Sequence, residues 1–153
     1  MKNYLTKPTW VILPIVLFFL FSYAFTQQKQ SESKDADFYF NQGIAYIDKA
    51  QYDLAIAAFN EVLEINPRDA EAYCNRGIAY REKRQYDQAI ADYTKAIETD
   101  PKLAAAYYNR GIFYYFKKEY DKSWEDVKRA QNLDYQVPPK FLEDLRKVSG
   151  TQK

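Results

Sequence analysis

The stretch AEAYCNRGIAYREKRQYDQAIADYTKAIETDPKL, residues 70–103, decides the fold. ADFYFNQGIAYIDKAQYDLAIAAFNEVLEINPRD precedes it at residues 36–69, and AAAYYNRGIFYYFKKEYDKSWEDVKRAQNLDYQV follows at residues 104–137. The three align without a gap at a step of 34 residues. Gly43, Gly77 and Gly111 mark the register, with Tyr46, Tyr80 and Tyr114 three places on. Tyr52-Asp53, Tyr86-Asp87 and Tyr120-Asp121 keep the step, as do Asn41, Asn75 and Asn109. A fixed period of this length marks stacked units, each too small to bury its own two faces.

Each unit reads as a helical hairpin. In the middle one, Asn66-Pro67-Arg68-Asp69 supplies the entry turn, because proline suits the first helical turn. A first helix then carries Ala72, Tyr73, Ile78 and Tyr80 and ends near Lys83. After Arg84-Gln85, a second helix runs from Tyr86-Asp87 with Ala89, Ile90, Tyr93, Ala96 and Ile97 on one stripe. Asp100-Pro101 closes the unit, since a residue before proline is biased away from helix. Glycine inside the first helix costs about 1 kcal/mol against alanine. The offset expected is a close approach of Ala89 to Gly77, of Ala55 to Gly43 and of Ser123 to Gly111.

The pattern resembles the tetratricopeptide repeat. Tyr39, Gly43, Tyr46, Ala55, Phe59 and Pro67 carry the likeness in the first unit. Tyr73, Gly77, Tyr80, Ala89, Tyr93, Ala96 and Pro101 carry it in the second, and Tyr107, Gly111, Tyr114 and Ala130 in the third. The resemblance implies an all-α fold, a right-handed α-solenoid of three helix-turn-helix units. The pattern decays late in the third unit, where Ser123, Val127 and Tyr135 replace the expected alanine, aromatic and proline. That decay predicts a capping helix over residues 139–148, with Phe141, Leu142, Leu145 and Val148 on its apolar face. The expected organisation is an N-terminal segment 1–26, a polar linker 27–35 and a repeat domain 36–149.

The N-terminal segment is a separate apolar helix on this reading. WVILPIVLFFLFSYAF, residues 10–25, holds no charge, and residues 8–26 make roughly 28 Å of helix, close to a hydrocarbon core. Trp10 and Tyr23 suit the two headgroup boundaries. An uncleaved membrane anchor is favoured over a secretory signal, whose small-x-small requirement is met only by Ser22-Tyr23-Ala24. Lys2 and Lys7 favour an inside N-terminus and extracytoplasmic repeats, a bias blunted by Lys29 and Lys34. After cleavage the chain would be secreted or periplasmic.

Composition argues against chemistry. The chain has no histidine, which removes the commonest general base and metal ligand. No glycine sits in a Gly-x-Gly pattern, so no phosphate-cradling loop is expected. Neither a catalytic residue, a metal nor a cofactor is therefore assigned. Acids such as Asp53, Glu61, Glu64, Asp87, Asp92 and Glu98 read as caps and solvated faces. With 22 basic and 21 acidic residues interleaved, no stripe favours nucleic acid. Cys74 has no partner within the chain for a disulfide.

What remains is a binding surface. In tetratricopeptide proteins the first helices line a concave face along which partner peptides lie. The resemblance thus places Phe40, Ile44 and Ile47 in a groove, then Cys74, Asn75, Ile78 and Arg81. Tyr108, Asn109, Ile112, Tyr115 and Phe116 extend it. Amides such as Asn75 and Asn109 suit a peptide backbone, and aromatics anchor protein partners. Chaperone-binding members grip a terminal carboxylate with cations, but those slots here hold Phe40, Ile44, Asn75, Ala105 and Asn109. The sequence therefore predicts a membrane-tethered scaffold binding a protein or peptide. The alternatives are a self-associating solenoid, whose exposed end unit stacks on another copy, and a secreted module; Phe38, Tyr108 and Tyr115 could also be covered by the C-terminal helix or by a second copy.

Overall fold

The computed structural model describes residues 9–150, with side chains from Val16 onward except at positions 32 and 33. Seven helices are described: α1 (Thr9–Asp48), α2 (Tyr52–Ile65), α3 (Ala70–Glu82), α4 (Tyr86–Thr99), α5 (Ala104–Phe116), α6 (Tyr120–Asn132) and α7 (Pro139–Ser149). Among the described residues there is no strand. The chain falls into two compact units, Met1–Asp35 and Ala36–Lys153.

The second unit is the solenoid. Three cores follow one another, and each draws on neighbouring repeats. Phe59 and Val62 of α2 meet Ala72 and Ala79 of α3, while Tyr93 and Ala96 of α4 meet Ala106 and Phe113 of α5. The third core joins Tyr107 and Val127 to Val137 and to Leu145 of α7. Stacking is thus where the apolar stripes are buried, as the hairpin argument requires.

The glycines meet a different partner from the one expected. A Cβ placed on Gly43 would fall 2.6 Å from the Phe59 ring, and one on Gly77 would fall 2.8 Å from the Tyr93 ring. The close approach is therefore to an aromatic sixteen residues on (43 to 59, 77 to 93), not to the alanines Ala55 and Ala89. An aromatic edge projects further than a methyl, so it reaches the glycine first. The third unit keeps more of the expected contact: Val127 replaces the ring, and the Ser123 hydroxyl donates to the Gly111 carbonyl at 2.7 Å.

Turns between paired helices share one device. Ala50, Arg84 and Lys118 take positive φ of 55, 61 and 62°. The next residue's N–H closes each turn, Gln51 onto the Tyr46 carbonyl, Gln85 onto Tyr80 and Glu119 onto Tyr114, at 2.8, 2.9 and 2.8 Å. This is the left-handed C-terminal cap that glycine usually fills. The Asp69 carboxylate caps α3, accepting from the Ala72 N–H at 2.9 Å.

Buried ion pairs join the two helices of a unit while their arginines reach back to the preceding one, and they correct the reading of Asp92 as a solvated acid. The Arg76 Nε and Nη2 donate to both oxygens of Asp92 at 2.8 and 2.7 Å, and Nη1 donates to Asn60 of the preceding unit at 2.7 Å. Arg110 repeats the fork onto Asp126 at 2.8 Å and reaches Thr94 at 3.2 Å. Burial lifts the Asp126 carboxyl above its ordinary value despite that guanidinium. Each of the two carboxylates is gripped in bidentate fashion by its arginine.

Residues 27–35, read as a linker, lie within the range of α1 and are helical. Gln, Lys, Glu and Asp there tolerate helix, and neither Gly nor Pro interrupts the run until Gly43. In the first unit, Val16, Leu17, Phe18, Phe19, Leu20, Phe21, Tyr23 and Phe25 are all exposed. The Thr26 hydroxyl donates to the Ser22 carbonyl at 2.8 Å. Among the described residues no helix is long and apolar enough to cross a membrane. The expected span starts at residue 8, so its first residue and the side chains up to 15 lie outside the described residues.

Candidate functional site

The twelve residues expected to line a groove separate into four groups. The first serves the core. Phe40 meets Phe59 edge-on at 5.6 Å, with Ile44 and Ile47 packed half-buried on the same cluster. Ile78 is half-buried against the middle cluster.

A second group is tied up in internal polar contacts. Asn75 donates to the Glu71 carbonyl of its own helix at 2.9 Å. Asn109 is buried, with its amide nitrogen 4.0 Å from the Cys74 sulfur and its oxygen accepting from Arg81 Nη1 at 3.4 Å. Both ends of that amide are engaged inside the protein. Burial pushes the Cys74 thiol up to about 11, more than the Asn109 contact lowers it, so it stays protonated at neutral pH.

The third unit's tyrosines are partly covered. Tyr108 stacks on Tyr135 at 4.8 Å and meets Phe141 of α7 edge-on at 5.9 Å. Tyr115 meets the same Phe141 at 5.4 Å. The α7 helix is anchored by Leu145, fully buried, and by Trp124, whose Nε1 donates to Ser149 at 3.0 Å. The cover of Tyr108 and Tyr115 is thus the chain's own C-terminal helix. Burial raises the Tyr108 and Tyr135 hydroxyls above their ordinary range.

Arg81, Ile112 and Phe116 are brought together at an open cleft of about 560 Å³. The end of α3, the turn after it and α5 form its walls, with Glu82, Arg84 and Tyr86 on one side and Phe113 and Lys117 on the other. Phe116 is 71% exposed. Behind the cleft, Phe113 stacks on Tyr93 at 6.0 Å and touches Tyr86 at 5.4 Å. Arg81 pairs with Glu82 at 2.8 Å, and Lys117 with Asp87 at 3.2 Å.

Sequence reasoning passed over Arg84, Tyr86, Phe113 and Lys117. A signal for one of them, and for Phe116 beside it, was present in the repeat itself. Phe113 stands where the earlier units have Ala45 and Ala79, and Phe116 stands where they have Asp48 and Glu82.

Three family models match in overlapping succession: "TPR repeat" at residues 43–83, "Tetratricopeptide repeat" at 70–103 and again at 92–125. The chain carries tetratricopeptide repeats. The tetratricopeptide solenoid is similar to the TPR domain of Arabidopsis OM64, with a TM-score of 0.71 and 28% identity over 76% of this chain and 98% of that one. It is also similar to the TPR2B domain of yeast Sti1, solved as a complex with pHsp70, with a TM-score of 0.68 and 28% identity over 78% and 99%. MamA gives 0.62 and 28% over 65% of this chain and 58% of its own. No curated protein matches the chain by sequence.

Proposed function

We propose that this tetratricopeptide chain is a non-catalytic interaction module, held at a membrane by its N-terminal run, that binds a protein partner on the face formed by its first helices. The observation that carries the reading is the cleft around Phe116. Phe116 is left 71% exposed beside Ile112, touching Tyr115 edge-on at 5.5 Å, in a unit whose other large apolar side chains are at least half-buried. The similar domain of yeast Sti1 was solved with pHsp70, which supports a peptide or protein as the occupant. The interaction module is a scaffold or assembly adaptor rather than an enzyme: the chain has no histidine, and its buried thiol is neutral at pH 7.

Membrane attachment rests on a separate observation. Val16 to Phe21 are six consecutive exposed apolar residues, and at 100° per residue they cover every side of the helix. A helix apolar all round suits lipid and not a water-facing surface. The lysines at positions 2 and 7 favour repeats on the extracytoplasmic side. Tethering raises the module's local concentration near membrane complexes.

Two measurements test this. Chemical crosslinking in native membranes, with the unaltered chain beside Phe116→Ala, should recover a partner that the variant loses. Equal recovery from both would refute the assignment of the face. Alkaline extraction and the mass of the mature chain test the anchor: release into the soluble fraction, or a mass lacking residues 1–24, would contradict it. Phe38, exposed on α1, favours self-association as a second reading. Sedimentation at several concentrations separates the two, since a concentration-independent monomer counts against self-association.

A further inference from the structure

The cleft at the turn between α3 and α4 is one-sided in charge. Arg81, Arg84 and Lys117 line it against a single lining carboxylate, Glu82. Glu82 takes Arg81, and Asp87 takes Lys117, which leaves Arg84 as the lining cation without an ion pair among the described residues. Arg84 also sits at φ 61°, where glycine is less strained, so the turn itself gains nothing from a guanidinium there. Beside it lies the apolar ledge of Ile112 and Phe116.

The wall behind the cleft is polar in an unusual way. Gln85 Oε1 and the Tyr93 hydroxyl are the two buried side-chain atoms without a hydrogen-bond partner among the described residues. Gln85 lies between Arg84 and Tyr86, and Tyr93 stacks on Phe113, so both adjoin the lining. Phe59 and Val127 fill Tyr93's column in the other units, and neither carries a hydroxyl. Packing does not account for the one in the middle unit.

We infer that this cleft receives an internal segment of a protein partner in which an Asp or Glu stands beside a large apolar residue. The acid sits on Arg84, and the apolar side chain sits on Ile112 and Phe116. The inference rests on the reading of the repeats as a binding module and gives that module's ligand a chemistry. A charge-assisted contact accounts for selectivity, and the apolar ledge accounts for most of the affinity.

The test pans the full-length chain in detergent micelles against octapeptides acetylated and amidated at their ends, with Arg84→Gly and Phe116→Ala in parallel. The expected result is enrichment of Asp or Glu within two positions of Phe, Leu or Ile. The selected peptide should bind Arg84→Gly about tenfold more weakly, as expected for losing a bond to a charged group. Arg84→Gly should melt no lower than the unaltered chain, which excludes misfolding as the cause. Replacing the peptide's acid by its amide should weaken binding to the unaltered chain and do nothing further to Arg84→Gly. Enrichment of apolar peptides without acids, unchanged affinity in Arg84→Gly, or binding only by peptides with a free C-terminus would each overturn the inference while leaving the module reading in place. Enrichment no greater than that given by Phe116→Ala would overturn both.

Discussion

Replacing Gly77 by alanine sets two effects of opposite sign against each other. Alanine is favoured over glycine inside a helix by about 1 kcal/mol. Against that, the new Cβ would lie 2.8, 3.0 and 3.1 Å from three atoms of the Tyr93 ring. Carbon pairs rest at about 3.5 Å, so the worst overlap is about 0.7 Å. The ring has nowhere to go, being fully buried with Phe113 stacked beside it. Overpacking of this kind costs about 1–3 kcal/mol, and three clashing atoms against a trapped ring place it in the upper half. Subtracting the propensity gain leaves a net loss of about 1–2 kcal/mol, or about 5–10 °C in melting temperature for a domain of this size.

Gly111 provides the internal control. Its nearest neighbours to a new Cβ are Asp126 Cβ and Val127 Cγ2, both at 3.3 Å, an overlap of about 0.2 Å. There the propensity term wins or cancels, and Gly111→Ala should be neutral or slightly stabilising. Thermal melts followed by circular dichroism at 222 nm compare the two variants directly. Adding Tyr93→Val to Gly77→Ala mimics the third unit's pairing and should recover part of the loss. If Gly77→Ala stabilised the chain as much as Gly111→Ala does, the account of the ring packing over the glycine would be refuted.

Other consequences follow from the same contacts. Asp92→Ala strands the Arg76 guanidinium, whose side chain is 18% exposed, and should cost about 3 kcal/mol in urea unfolding. Arg76→Leu with Asp92→Leu should cost far less than the sum of the single changes, and strict additivity would refute the pairing. Ala50→Gly, at φ 55° on an exposed turn, should raise stability by about 0.5–1 kcal/mol, whereas a loss would contradict the left-handed cap. Because burial holds the Cys74 thiol at about 11, iodoacetamide at pH 7.5 should label it only in denaturant. Rapid labelling of the native chain would show that the site is open.

The fold was legible in the sequence because a 34-residue period constrains every column at once. The hairpins, their turns and the capping helix all follow from where Gly, Pro and the apolar stripe recur. The contacts between columns were harder to read. Arg76 and Arg110, Asp92 and Asp126, and Asn60 and Thr94 all keep the period, yet nothing in composition separates an Asp that caps from an Asp buried under a guanidinium. Which neighbour a glycine accommodates depends on side-chain reach across the hairpin, and reach favoured the aromatic over the alanine. The groove was blurred for a related reason. The resemblance assigned first-helix residues to a groove without saying what covers them, and Phe141 of α7 packs on Tyr108 and Tyr115. Phe113 and Phe116 were visible as departures from their columns, and that is the mark by which the open cleft could have been found.

The most direct test of the central claim places a photo-crosslinking amino acid at position 116 and, in a second chain, at the exposed position 95 on α4. Illumination in native membranes should give a discrete adduct with a second protein from position 116 and none from position 95. Adducts of equal yield from both positions, or none from 116, would contradict the claim that this face of the repeats is where a partner binds.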